Sequence, residues 1–155
     1  MRFDMNQRVG PAAPYSGGMS QPGVDLLLDI DREYREKGRA GLLPRIAPRR
    51  FNPDAKAWLP VLNTRFGPWH FTALFSNTQR AHELHRTYDW LVILYTDAEG
   101  EEGEATVVTE RRGSLTGRRV VRGREPECAR LLRGAQKALQ PRDVEDADVL
   151  LLDRN

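Results

Sequence analysis

The chain has 155 residues, 39% of them hydrophobic and 30% charged, with a formal net charge of +2. It is the size of one domain with a real core, and the near-cancellation of acids and bases argues against a wholesale basic tail. No apolar run is long enough to span a bilayer, the start MRFDMNQRVGPAAPYSGG lacks the apolar centre of a signal peptide, and the single Cys128 excludes an internal disulfide; a reducing, cytoplasmic setting without membrane association is expected.

Residues 1–22 hold Gly10, Pro11, Pro14, Gly17, Gly18 and Pro22 among few apolar residues, which predicts a flexible leader. From Gly23 to Lys37, Leu27, Ile30 and Tyr34 fall at helical spacing, with Pro22 as a start signal and Gly38 as a stop. The run PRIAPRRFNPD over 44–54 is too rich in proline for anything but extended or turning chain. Residues 57–62 form an apolar strand that Pro60 confines to an edge, and Phe66-Gly67-Pro68 turns the chain into a second strand, 69–75. In that strand Trp69, Phe71, Ala73 and Phe75 share one face and His70, Thr72 and Leu74 the other.

Ser76 or Asn77 is a good N-cap for a short helix through Arg86 whose inner face carries Ala81 and Leu84. Trp90–Tyr95, apolar on both faces, reads as a central strand. Its partner is Ala105–Thr109, reached through the acidic, solvated tip DAEGEEGE. Gly113 and Gly117 bracket a turn before a short strand, Arg119–Arg122, and Glu125-Pro126 opens a helix buried through Leu131, Leu132, Ala135 and Leu139. The tail 141–155 combines acids with an apolar patch, Val149–Leu152, and has no assignable element. The expected fold over 23–140 is therefore α+β: an antiparallel sheet of about five strands with helices packed on one face.

Few residues suggest catalysis. His82 and His85 are three apart, whereas the zinc-protease pattern needs histidines at i and i+4, and His70 or Asp89 would have to complete the site. Half-exposed surface histidines are the simpler reading, and no metal or cofactor is expected. Asp89, Asp97 and Glu110 flank a strand pair as nuclease carboxylates do, but acids at strand ends are ordinary turn residues, and the lysine of a restriction-type core is absent. No serine lies in a nucleophile elbow, Gly113–Gly117 lacks the ending of a phosphate loop, and Cys128 lies in a helix as a buried, inert thiol.

Positive charge, by contrast, is concentrated. The stretch RRGSLTGRRVVRGR holds six arginines and no acid: Arg111, Arg112, Arg118, Arg119, Arg122 and Arg124. Arg45, Arg49 and Arg50 form a second cluster. Guanidinium forks pair two phosphate oxygens at once, so both clusters suit a phosphate backbone. Strand alternation puts Arg118, Val120 and Arg122 on one face and Arg119 and Val121 on the other, which limits how many can follow one backbone track. Exposed aromatics such as Phe51 or Tyr88 would stack on an unpaired base. The competing reading is a solvated strand pair whose arginines meet the acidic tip at 97–104.

The strings IAPRRFNP, FTALFSNT, RAHEL and GRRVVRGRE, in this order, make residues 24–128 resemble the C-terminal region of bacterial helix-hairpin-helix DNA-binding proteins, relatives of the DNA-binding portion of family X DNA polymerases. The helix-hairpin-helix segments that precede this region in the family have no counterpart in these 155 residues. The resemblance implies company with DNA metabolism rather than a mechanism. The leading expectation is a non-catalytic nucleic-acid-binding or DNA-repair accessory module, DNA favoured, acting through the nine arginines above. The alternatives are a protein-interaction module using the N-terminal helix or C-terminal tail and a metal-dependent phosphodiesterase built on Asp89 and Glu110 with His70 or His85.

Overall fold

The computed structural model describes residues 21–138, with side chains to residue 135. The expected leader, apart from its last two residues, and the tail 141–155 lie outside the described residues. Pro22, expected in the leader, is fully buried.

The first helix, α1, spans Val24–Arg39. Its stripe of Val24, Leu27, Ile30 and Tyr34 is buried and, unexpectedly for an acid, so is Asp31. The helix passes the expected stop at Gly38, and the chain reverses at Gly41, whose φ of 72° suits glycine. Two short strands follow, β1 (Arg45–Ile46) and β2 (Leu59–Pro60), paired antiparallel in a sheet of their own.

The expected strand over 57–62 is split. Its end belongs instead to β3, Leu62–Phe66, which pairs with β4, Trp69–Phe75, around the two-residue turn Gly67-Pro68. Continuing the register of Leu62 with Ala73 would set Pro60 opposite Phe75. Proline has no N–H for that ladder. The Tyr34 hydroxyl fills the place, donating to the Pro60 carbonyl at 2.8 Å and accepting from the Phe75 N–H at 3.2 Å.

Thr78, not Ser76 or Asn77, caps α2 (Gln79–Glu83), its Oγ1 accepting from the Ala81 N–H at 3.1 Å. This helix stops three residues short of Arg86 because His85 turns to a φ of 56°, and Leu84 is left exposed rather than on an inner face. β5 (Leu91–Thr96) is the central strand of an all-antiparallel sheet ordered β3-β4-β5-β6-β7, with β6 at Glu102–Thr109 and β7 at Arg119–Val121. The acidic run is only partly a tip, since Glu102 and Glu104 already belong to β6. The turn itself is closed by Asp97, whose Oδ1 accepts the backbone N–H groups of Glu99 and Glu101 at 2.9 Å each.

The last helix, α3, spans Glu125–Ala138. Cys128, Ala129 and Leu132 meet the core, while Leu131 and Ala135, expected inside, are exposed; Leu139 lies outside the described residues. One sheet face, carrying Phe71, Ala73, Leu91, Ile93, Tyr95, Val107 and Val121, packs with the apolar sides of α1 and α3. The domain is α+β, a five-stranded antiparallel sheet with helices against it, as the patterning predicts. No helix among the described residues is long and apolar enough to cross a membrane.

Candidate nucleic-acid interface

Arg119 begins β7 on the core face, opposite Thr109. Its guanidinium is paired bidentately with Asp31, through Nε at 3.2 Å and Nη2 at 2.8 Å. Nη1 donates to Asp89 Oδ1 at 2.9 Å and to Thr109 Oγ1 at 3.1 Å, and Nη2 reaches the Val107 carbonyl at 3.3 Å. An arginine has five N–H donors, and all five are engaged. Asp89 is further held by Thr109, which donates from its hydroxyl at 2.6 Å and from its backbone N–H at 3.2 Å. Arg119 thus has no donor left for an external phosphate, and it joins α1, the start of β5 and the end of β6.

Arg124 is also turned inward. Nε and Nη2 grip Glu127 at 2.7 and 2.8 Å, and Nη1 donates to the Pro22 carbonyl at 2.7 Å. The hydrogen bonds from Arg124 hold the Glu127 carboxyl below the usual carboxylate range. Arg122 lies over the Trp90 ring at 4.5 Å. The remaining expected arginines, Arg45, Arg49, Arg50, Arg111, Arg112 and Arg118, are all exposed. Arg119 makes its ion pairs with Asp31 and Asp89 rather than with the acidic tip.

Two residues singled out from the sequence, Arg45 and Tyr88, line a groove of about 410 Å³ together with others that are not. Helix α1 contributes Tyr34, Arg35, Gly38 and Arg39; β1 contributes Arg45; Trp58 precedes β2 and Pro60 ends it; Phe75 ends β4; and Tyr88 precedes β5. The rings form an edge-to-face chain, Tyr34–Phe75 at 4.9 Å, Phe75–Tyr88 at 5.4 Å and Tyr88–Trp58 at 5.8 Å. Arg35, Arg39 and Arg45 make no side-chain hydrogen bond or ion pair among the described residues. The other α1 charges are arranged differently: Lys37 meets Glu33, and Asp31 meets Arg119. The sequence singles out Arg45 and Tyr88 as a phosphate contact and a stacking ring but not Arg35 and Arg39, although these stand at i, i+4; Arg45 and Trp58 are brought together by the non-local pairing of β1 with β2.

Topology relates the groove to the longer arginine cluster. Phe75 ends β4, Tyr88 and Asp89 precede β5, Thr109 ends β6 and Arg119 begins β7, so these positions share one end of the sheet. The connection carrying Arg111, Arg112 and Arg118 therefore leaves from the end that forms the groove wall. Arg49 and Arg50 sit on the loop whose two flanks, Arg45 and Trp58, line the same groove. That loop is fastened by Asn52, which donates to the carbonyls of Pro48 and Lys56 at 2.9 Å each, and by Asn77, which donates to the Arg50 carbonyl at 3.1 Å.

The candidate catalytic groups do not converge. His82 bonds Asn77 Oδ1 at 2.7 Å and lies 4.5 Å from the Phe51 ring. Among the described residues no three His, Cys, Asp or Glu side chains are grouped to hold a metal ion. Asp89 is committed to Arg119, and Asp97 lies beyond the far end of β5, whose six residues span about 20 Å at roughly 3.3 Å per residue. Cys128 is buried, its sulfur accepting the Val121 N–H at 3.4 Å, and burial pushes its thiol up. The apolar stripe of α1 is in the core, so it offers no docking face.

No protein-family model matches the chain, and neither a curated protein nor a solved structure matches it significantly.

Proposed function

We propose that this protein is a nucleic-acid-binding accessory module without catalysis of its own, DNA favoured, that neutralises backbone phosphates with exposed arginines at one end of its sheet. The supporting observation is that Arg35, Arg39, Arg45, Arg111, Arg112 and Arg118 share that end and make no side-chain ion pair or hydrogen bond among the described residues. Of the carboxylates at that end, Asp31 and Asp89 are taken up by Arg119, and Glu110 accepts the backbone N–H of Arg111 at 3.0 Å. The net charge of +2 is small, so attraction rests on placement rather than total charge. Arg49 and Arg50 extend the surface, whereas Arg119 and Arg124 hold it up from inside. A place in DNA repair rests on the resemblance of residues 24–128 and belongs to the same proposal.

Backbone contact of this kind reads no sequence. Roughly three to five neutralised phosphates give binding that weakens steeply with salt. Fluorescence anisotropy with labelled single- and double-stranded DNA at two salt concentrations tests it. An Arg111→Ala/Arg112→Ala/Arg118→Ala variant is expected to bind several-fold more weakly at low salt while staying folded. Binding equal to that of the unaltered protein rejects the reading.

A further inference from the structure

We infer that the groove between α1, β1 and Tyr88 is a subsite for one unpaired nucleotide, its base stacked against the aromatic wall and its phosphate held by Arg35, Arg39 and Arg45; the inference rests on the nucleic-acid reading above. Three observations lead to it. The first is size: about 410 Å³ falls within the roughly 300–1,000 Å³ of small-molecule sites.

The second is the division of the lining. Trp58, Phe75 and Tyr88 meet edge to face, and the outermost ring, Tyr88, is 69% exposed. Its hydroxyl makes no hydrogen bond among the described residues, so nothing polar explains its place there. A large exposed ring beside a concavity is a stacking platform for any base with a free face. Bases within a duplex present no such face, which restricts the occupant to an unpaired nucleotide.

The third is the charge. Arg35 and Arg39 stand one helical turn apart, where like charges repel, and Arg45 joins them from the neighbouring strand. None of the three has an acid partner among the described residues, and Arg35 is half-buried. Guanidinium groups gathered without a carboxylate are complementary to an anion with several acceptor oxygens, which is the form of a phosphate. Tyr34 cannot donate to a phosphate, because its one O–H is given to the Pro60 carbonyl; buried and also accepting from the Phe75 N–H, it forms the floor.

The test uses the whole chain and three labelled probes: a short oligothymidylate, a blunt duplex and a phosphotyrosine peptide. Tyr88→Ala is expected to weaken oligothymidylate binding about fivefold or more and to leave duplex binding within twofold. Tyr88→Phe keeps the ring and is expected to bind as the original does. Arg39→Ala should flatten the single-strand salt dependence by about 0.7 in slope. Equal losses for strand and duplex, or no effect of Tyr88→Ala, overturn the subsite while the phosphate-binding surface stands. Preference for the phosphopeptide overturns it in favour of a protein partner. If the unaltered protein binds neither nucleic acid, the broader reading fails with it.

Discussion

A single arginine separates structural charge from available charge. Arg119 sits in the richest basic stretch of the chain, yet its side chain is 18% exposed and faces Asp31, itself 4% exposed. Two carboxylates around one guanidinium are stable only while the guanidinium is there. Removing it leaves Asp31 as a buried, uncompensated charge, and breaking such a pair costs about 3–5 kcal/mol. Arg119→Met is therefore expected to lower unfolding free energy by that amount in urea titration. Arg119→Lys should recover little, because a point ammonium cannot reproduce the fork that serves Asp31 and Asp89 together. An unchanged urea midpoint for Arg119→Met would contradict the role assigned to this residue. The sequence does carry a signal: Asp31 lies four residues after Leu27 on the apolar stripe of α1, and an acid there calls for a buried cation.

Between elements, Tyr34 does what proline cannot. Its hydroxyl replaces the missing ladder bond between Pro60 and Phe75 and so ties α1 to β2 and β4. Tyr34→Phe leaves a carbonyl and an N–H unpaired, a loss of about 1–3 kcal/mol. Burial, the larger influence, drives its phenol far above the ordinary range despite the opposing Phe75 hydrogen bond. The sign follows: the unfolded chain releases this proton near pH 10 and the folded one does not, so stability is full below about pH 10 and falls as pH rises beyond it. Tyr95, also raised chiefly by burial, adds to that fall. Urea midpoints between pH 8 and 11 should drop for the original protein and drop less for Tyr34→Phe; parallel curves would refute the assignment.

Elements with one dominant period were legible from the chain: the helical stripe of Leu27, Ile30 and Tyr34, the alternation of β4 and the apolar run of β5. What failed were choices settled by distant partners. The strand break at Pro60 depends on Tyr34, and the start of β6 at Glu102 depends on its register with β5. There Gly103 lies opposite Tyr95, whose ring is so close that a Cβ at this position would clash with it. Helical spacing predicts a buried Leu131, but α3 turns Cys128, Ala129 and Leu132 inward instead. The clustered arginines were visible as a cluster; which of them look inward was not, because Asp31 is 88 residues away in sequence.

For the molecule as a whole, charge is sorted by ends of the sheet. At one end β4 finishes, β7 begins, and the groove and the loop of Arg111, Arg112 and Arg118 lie together. At the other end are the Gly67-Pro68 turn and the acidic turn closed by Asp97. On the reading proposed above, a phosphate backbone would be drawn to the first end and repelled from the second, which would orient the protein on it without reading sequence. The most direct measurement is an amide chemical-shift titration of the full chain with single-stranded DNA at low salt. Perturbations are expected at Arg35, Arg39, Arg45, Trp58, Phe75, Tyr88 and residues 111–118, reversing as salt is added, with Gly67 and residues 97–101 unmoved. Shifts concentrated at the acidic end, spread evenly over the domain, or absent altogether would contradict the account.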